Sequence, residues 1–286
     1  AYQGIDDPST FPLCPVVVTP QHRIDEEPLT QQWDLAELRK QRLRGWGRAT
    51  TMWSRASRSL VLGMLLSIAA GALAVVPLVV SVFWPRRAGR MRQALRGWLL
   101  PEPRTRLTPA RLGAEDMAAS ELFAGFSFAE EALRVGNLLE NIGMTRRFAR
   151  VVTVLGHDSS SANNPYFPAY SCGACGGRSG GPNARLFAAM ANQPEVRELL
   201  AARGIEIPAD TVFVGGVYDT CAERVRLFDS EEQAPGMEVE LGALRQLLAE
   251  MCRRNAHERC RRFESAPAYP SLEKAHDHVE GRALDL

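Results

Sequence analysis

His157 closes a short apolar run that starts at Val151, and fifteen residues later Cys172 opens the glycine-rich turn Cys172-Gly173-Ala174-Cys175-Gly176-Gly177. An imidazole with a thiolate is a borderline-soft donor pair that suits zinc. The segment Asp158-Ser159-Ser160-Ser161-Ala162-Asn163-Asn164-Pro165 that follows is built from turn formers whose side chains bond their own backbone. It can therefore fold back and bring the thiol toward the imidazole. Long loops of this kind are usually functional. On spacing alone three readings stay open: metal binding, a redox or disulfide pair of Cys172 and Cys175, and a structural role in which His157 caps a strand.

The elements that must position these residues are legible in outline. Val151-Val152-Thr153-Val154-Leu155-Gly156 reads as a buried strand, and ligands in open α/β sheets bind past the carboxyl ends of strands. Pro182 opens a helix to Ala191, Pro194 opens another to Ala202, and Gly204 closes it. Thr211 to Val217 reads as a second strand ending at Tyr218-Asp219-Thr220. The helical crossover makes the two strands parallel neighbours, so Asp219 and Thr220 are expected on the rim that carries His157. Upstream, Val135, Leu138, Leu139 and Ile142 mark a helix face ahead of a Gly143 cap. Downstream, Leu241, Leu244, Leu248, Met251 and Cys252 mark one face of a long helix, with Cys252 and Cys260 read as core thiols.

These readings define an α/β region over 115–286, preceded by a helical, hydrophobic insertion over 29–114 and an irregular segment over 1–28 whose Val16-Val17-Val18 is a short strand at most. Trp33 to Arg58 reads as a basic helix, bent or broken near Gly45 and Gly47. Leu60 to Trp84 contains no charged residue over 25 positions, and arginines flank it on both sides. Its length is enough to cross a bilayer. Pro77, Gly63 and Gly71 equally suit two shorter helices joined at Pro77, buried or docked on a membrane partner, and both alternatives stand at this point.

Composition narrows the classes. A 286-residue chain with 45% apolar residues can build a core, and its formal charge of +1 argues against a nucleic-acid binder held by phosphate neutralisation. Six irregularly spaced cysteines are not a disulfide framework and fit a reducing compartment. The glycine spacing of the 173–181 turn matches neither the P-loop nor the dinucleotide fingerprint.

The stretch GHDSSSANNPYFPAYSCGACGGRSGGPNARLFAAMANQPEVRELLAARGIEIPADTVF, residues 156–213, closely resembles the DabA family, the zinc-containing subunit of a bacterial inorganic-carbon accumulating complex. Leu13-Cys14-Pro15-Val16 and Asn255 to Phe263 extend the resemblance toward both ends. It implies zinc as cofactor, with His157 and Cys172 as ligands. It also implies a β-carbonic-anhydrase-like parallel sheet flanked by helices and hydration of carbon dioxide to bicarbonate. The partner implied is a DabB-like proton-translocating membrane subunit, with the chain peripheral on the cytoplasmic side of the inner membrane.

Departures from the family pattern qualify what carries over. Asp158 replaces a glycine after the metal histidine, Tyr166 replaces the histidine of NNPH, and Tyr218 stands where another histidine is usual. The family's remaining two zinc ligands belong to an upstream C-x-D-x-R motif that does not occur here, and Cys14-Pro15-Val16 is not that motif. Two ligands do not close a tetrahedral site. The chain therefore reads as the C-terminal-central portion of a longer protein or as a truncated product. Asp158, Cys175 and Asp219 are secondary ligand candidates beside His22, and Arg178 and Arg185 are candidates for holding an anion or else solvated surface arginines. Two further functions stay open: a non-catalytic remnant serving as an assembly module, and a redox protein using Cys172 and Cys175.

Overall fold

The computed structural model describes residues 2–3, 22–109, 123–160, 178–264, 266, 268 and 271–285. Cys14, the Val16 run, Tyr166, Cys172 and Cys175 lie outside them. The chain divides into two units, 28–105 and the remainder.

In the larger unit, β5 (Val151–Asp158) and β6 (Val212–Asp219) pair in parallel from Val151↔Val212 to Asp158↔Asp219. β7 (Arg224–Leu227) adds to β6 antiparallel, with Asp219 opposite Arg224. The sheet is therefore mixed, where a parallel one was expected. The reason is local: the turn at 220–223 sends the chain straight back along β6 rather than into a crossover helix. The expected crossover between β5 and β6 is present as α5 (Gly181–Ala191) and α6 (Pro194–Ala202), each with a proline in its first turn. Gly204 sits at φ +82° past the end of α6, as a left-handed helix terminus requires.

Successive residues of β6 serve different cores, as the pleat dictates. Phe213 packs with Leu186, Phe187 and Ala188 of α5, Val196 and Leu200 of α6, and Val135 and Leu139 of α4 (Phe128–Asn141). Val214 packs on the other side with Ala234, Met237 and Leu241. Two further helices follow the short α7 (Ser230–Gln233): α8 (Glu238–Cys260) and α9 (Leu272–Asp285). They close a separate cluster of Ala256, Cys260, Ala275 and Val279.

A second small sheet holds β1 (Tyr2–Gln3), β2 (His22–Pro28), β3 (Thr105–Thr108) and β4 (Phe123–Ala124), with β1 and β4 both parallel to β2. The segment read as irregular thus contains a seven-residue strand. In His-Arg-Ile-Asp-Glu-Glu-Pro only Ile24 is an apolar core residue, so no alternation announced it. The α4 face also differs from expectation. Val135 and Leu139 are buried, but Leu138 and Ile142 are exposed, and Glu131, Ala132 and Gly136 complete the buried stripe. Gly136 faces the Arg203 guanidinium and Leu200 so closely that a side chain would collide with them.

The unit 28–105 is a run of helices: α1 (Trp33–Ala56), α2 (Leu60–Phe83) and α3 (Pro85–Leu99). α1 is unbroken through Gly45 and Gly47, contrary to expectation. Each glycine costs only about 1 kcal/mol in a helix interior, and the Thr50 and Thr51 hydroxyls both donate to the Gly47 carbonyl. Arg39 and Arg42 of α1 donate to the carbonyls of Leu100 and Leu99 that end α3, where guanidinium groups complement the helix terminus.

Among the described residues no single helix is long and apolar enough to cross a membrane, but Leu60–Gly71 and Leu73–Val80 together have the length and composition, bent by 43°. The bend precedes Pro77 by about one turn. Proline clashes with the carbonyl four residues back, here that of Leu73, so the distortion falls upstream of the ring. Most of the apolar side chains described in α2 are exposed, with Leu66, Ala70 and Val80 half-buried.

Candidate functional site

Two strand ends and one turn build the rim at which His157 lies. β5 ends at His157 and Asp158, opposite Tyr218 and Asp219. His157 is exposed, and its Nε2 lies 3.0 Å from Thr220 Oγ1. Thr220 Oγ1 is also 3.3 Å from the Asp158 carbonyl oxygen, which also accepts the Thr220 N–H at 3.0 Å. A threonine hydroxyl has a single proton. With that proton on the Asp158 carbonyl, the oxygen accepts Nε2–H, and Nδ1 keeps the ring's lone pair. A hydrogen-bond partner on one ring nitrogen sets the tautomer and direction of a metal-binding imidazole; a carboxylate, backbone carbonyl or water is usual there, and a hydroxyl stands in that place here.

The acidic candidates are engaged by backbone. Asp158 Oδ1 accepts from the Ser159 N–H. Asp219 Oδ1 accepts from the N–H groups of Ser160, Cys221 and Ala222, so this carboxylate organises the turn and ties down the chain leaving β5. At the other end of the 161–177 segment, Gly180 N–H donates to the His157 carbonyl at 2.7 Å. A Cβ on Gly156 would stand 2.2 Å from the Gly180 oxygen, so glycine is required for this return of the chain. The described residues on either side of the segment that bears Cys172 and Cys175, Ser160 and Gly180, are thereby anchored at the end of β5. Arg178, at that return, is exposed.

The 220–223 turn is held from behind. Glu223, at φ +51°, is 1% exposed and accepts from the Tyr218 hydroxyl, Asn255 Nδ2 at 2.8 Å and Arg259 Nη1. Arg259 also donates to the Thr220 carbonyl, and His276 Nε2 lies 2.9 Å from the Glu223 carbonyl. Burial, then the bond to Glu223, pushes the Tyr218 phenol up, so it stays protonated as a donor.

The sequence marks Tyr218 as a strand end and a replaced histidine, and Asn255 and Arg259 as part of a resemblance; the structure joins them through Glu223. The sequence shows Ser159 as a turn former and suggests no role for Cys221; their Oγ and Sγ lie 3.0 Å apart at the same rim. The position of Cys221, two residues past the end of β6, was the available signal.

Other candidates go elsewhere. Arg185 is buried and already paired: its guanidinium forks onto Asp229 and donates to Glu26 Oε1 at 2.7 Å, both carboxylates being partly exposed. His22 pairs with Glu130 Oε1 at 3.0 Å and packs on Phe126. Cys252 and Cys260 are 3% and 5% exposed, and burial pushes both thiols up, which suits core residues rather than thiolate ligands. Among the described residues, the group of three metal-capable side chains is His276, Asp277 and Glu280, not the His157 rim. Two of its members already bond elsewhere, His276 to the Glu223 carbonyl and Glu280 to Arg224.

Residues 1–286 match the family described as "Probable inorganic carbon transporter subunit DabA". A relative of that description from Sorangium cellulosum is 47% identical over 285 residues, covering 100% of this chain and 28% of its own length. One from Methylococcus capsulatus is 42% identical over 291 residues, covering 100% of this chain and 27% of its own, and one from Rhodopirellula baltica is 40% identical over 285 residues, covering 100% and 26%. The chain thus spans little more than a quarter of the curated relatives it matches. No solved structure matches it. The chain belongs to the DabA family.

Proposed function

From that membership we propose that this chain supplies the imidazole and thiolate half of a zinc site, His157 and Cys172, in the subunit of an inorganic carbon uptake complex that hydrates carbon dioxide to bicarbonate. The observation that carries the reading is the placement of His157. It is exposed at the carboxyl end of a parallel strand, with Nε2 on a hydroxyl and the residues flanking the Cys172 segment, Ser160 and Gly180, anchored at the same strand end. The donor set fits zinc, since a neutral imidazole and a thiolate are its ordinary ligands. With zinc bound, water becomes acidic enough near neutral pH to act as the nucleophile toward carbon dioxide.

In this reading the chain's own residues orient and restrain. Thr220 fixes the imidazole tautomer, Asp219 fastens both the 220–222 turn and the start of the cysteine-bearing segment, and Arg259 with Glu223 holds that turn in place. The two ligands still required would come from the C-x-D-x-R motif of a complete DabA protein, and a β-carbonic-anhydrase-like arrangement of the sheet rim belongs to the same proposal. A DabB-like proton-translocating partner would drive net uptake, with the subunit peripheral on the cytoplasmic side of the inner membrane.

Zinc content of purified variants of the complete protein tests this. His157→Ala and Cys172→Ala are expected to lose zinc and carbon uptake with an unchanged far-ultraviolet circular dichroism spectrum, whereas Cys175→Ala retains most of the metal. Full zinc occupancy in folded His157→Ala or Cys172→Ala protein would overturn the assignment.

A further inference from the structure

The near-neutral charge of the chain conceals a segregation. Residues 28–105 hold 13 of the 34 Lys and Arg but three of the 33 Asp and Glu, a formal charge of +10, while the remainder of the chain carries −9. The same unit contains all five tryptophans, Trp33, Trp46, Trp53, Trp84 and Trp98, each about half exposed or more.

Between its basic helices lies α2, whose exposed apolar residues are not confined to one stripe. Leu60, Val61, Leu62, Met64 and Leu65 sweep more than half of the circumference around the first turns, and Leu73, Val75, Val76, Leu78 and Val79 sweep about half of it further along, all at least 41% exposed. A helix docking on a protein presents one apolar stripe; one that is apolar all round is either deep in a core or in lipid. Among the described residues, no buried core cluster includes a residue of α2.

We infer that the 28–105 unit binds an anionic lipid bilayer directly, inserting α2 into the acyl region while the arginines that flank it engage lipid phosphates. The flanks have the required chemistry. Arg44, Arg48 and Arg55 line one groove of α1 with Thr51 and Met52, Arg58 and Arg87 are exposed on either side of α2, and no acidic residue interrupts 38–101. Guanidinium groups bind phosphate oxygens in pairs, and tryptophans settle at the boundary of headgroup and hydrocarbon. The inference stands independently of the zinc reading, and it makes lipid, rather than a protein partner alone, the surface that holds the subunit.

The 286-residue chain, sedimented with extruded vesicles of phosphatidylcholine alone or mixed with phosphatidylglycerol, provides the test. Tryptophan emission is recorded alongside, and because every tryptophan lies in 28–105 it reports on this unit alone. The expected result is at least about tenfold tighter association with the anionic vesicles, weakening with salt and accompanied by a blue shift. Arg44→Glu/Arg48→Glu/Arg55→Glu, at exposed positions, is expected to lose about a hundredfold in affinity with helix content retained, while the corresponding triple lysine variant keeps most of it. Leu65→Asp/Val76→Asp is expected to abolish the blue shift. Equal binding to neutral vesicles, pelleting without an emission change, or emission already blue-shifted in a lipid-free oligomer would overturn the inference. The last of these would assign α2 to a second copy of the chain.

Discussion

Arg259 and Thr220 are joined across elements: a guanidinium from the last turn of α8 donates to the carbonyl of the residue whose hydroxyl meets His157. The same guanidinium pairs with Glu223, whose side chain is 1% exposed. The imidazole is therefore positioned at one remove by a helix that begins more than eighty residues further along the chain, and the stability of the turn and the geometry of the rim share one ion pair.

Removing Arg259 leaves a buried carboxylate with only the Tyr218 hydroxyl and the Asn255 amide. Arg259→Met is expected to destabilise the protein by about 3 kcal/mol in urea unfolding. Glu223→Gln in the same background should recover a large part of that loss, because the uncompensated charge goes with it. Additive effects of the two substitutions would show that the pair does not interact.

Thr220→Val keeps the shape of the side chain and removes the hydroxyl. Stability should change by about 1 kcal/mol, as for one hydrogen bond, while zinc affinity of the complete protein should fall roughly 10- to 100-fold, the usual effect of losing the group that orients a metal-binding histidine. Thr220→Ser should restore it. Competition with a chromophoric chelator measures the affinity, and an unchanged value in the valine variant would remove Thr220 from the site.

Gly156→Ala places a methyl group 2.2 Å from the Gly180 oxygen, a backbone atom with no rotamer to yield. The chain returning from 161–177 must move, at a cost of roughly 1–3 kcal/mol. Gly242→Ala in α8 is the control: a Cβ there meets nothing within 4 Å, and alanine should stabilise the helix by about 0.5–1 kcal/mol. Urea unfolding of both variants should give opposite signs.

The parts legible in the sequence were those with a period or a punctuating residue. β5 and β6 showed as β-branched runs, and Pro182, Pro194 and Gly204 marked where α5 and α6 begin and end, so the rim carrying His157, Asp219 and Thr220 followed from the crossover rule alone. What stayed hidden was polar and buried. Nothing in the sequence marks Glu131 or Glu223 as buried, and Arg185 suggests an anion site or a solvated surface, because only the fold supplies their burial and, for Glu223 and Arg185, their partners. β2 was missed for the same reason, being mostly charged around the single core residue Ile24. No spacing rule marks a threonine as the partner of a histidine 63 positions away. Cys172 rests on the resemblance and on the anchoring of the residues that flank its segment.

Glu131 gives the chain a pH dependence of its own. Its carboxylate is fully buried in α4, both oxygens lack a hydrogen-bond partner among the described residues, and desolvation, with smaller contributions from Glu195 and Glu130, pushes its pKa up from 4.5 to about 7 against the lowering effect of Arg134. Between those two values the folded state holds the proton more tightly than the unfolded state, so stability falls as pH rises. This group's penalty is absent below about pH 4.5, grows through the interval and is complete above about pH 7, reaching about 3 kcal/mol. Glu131→Met, similar in length and without a charge, should therefore exceed the wild type in stability by on the order of 3 kcal/mol at pH 8, and most of that margin should vanish near pH 5. Urea unfolding of both proteins across this range isolates the group, since every other titration is common to the two. A margin that does not change with pH would mean that Glu131 is already neutral, or solvated, throughout.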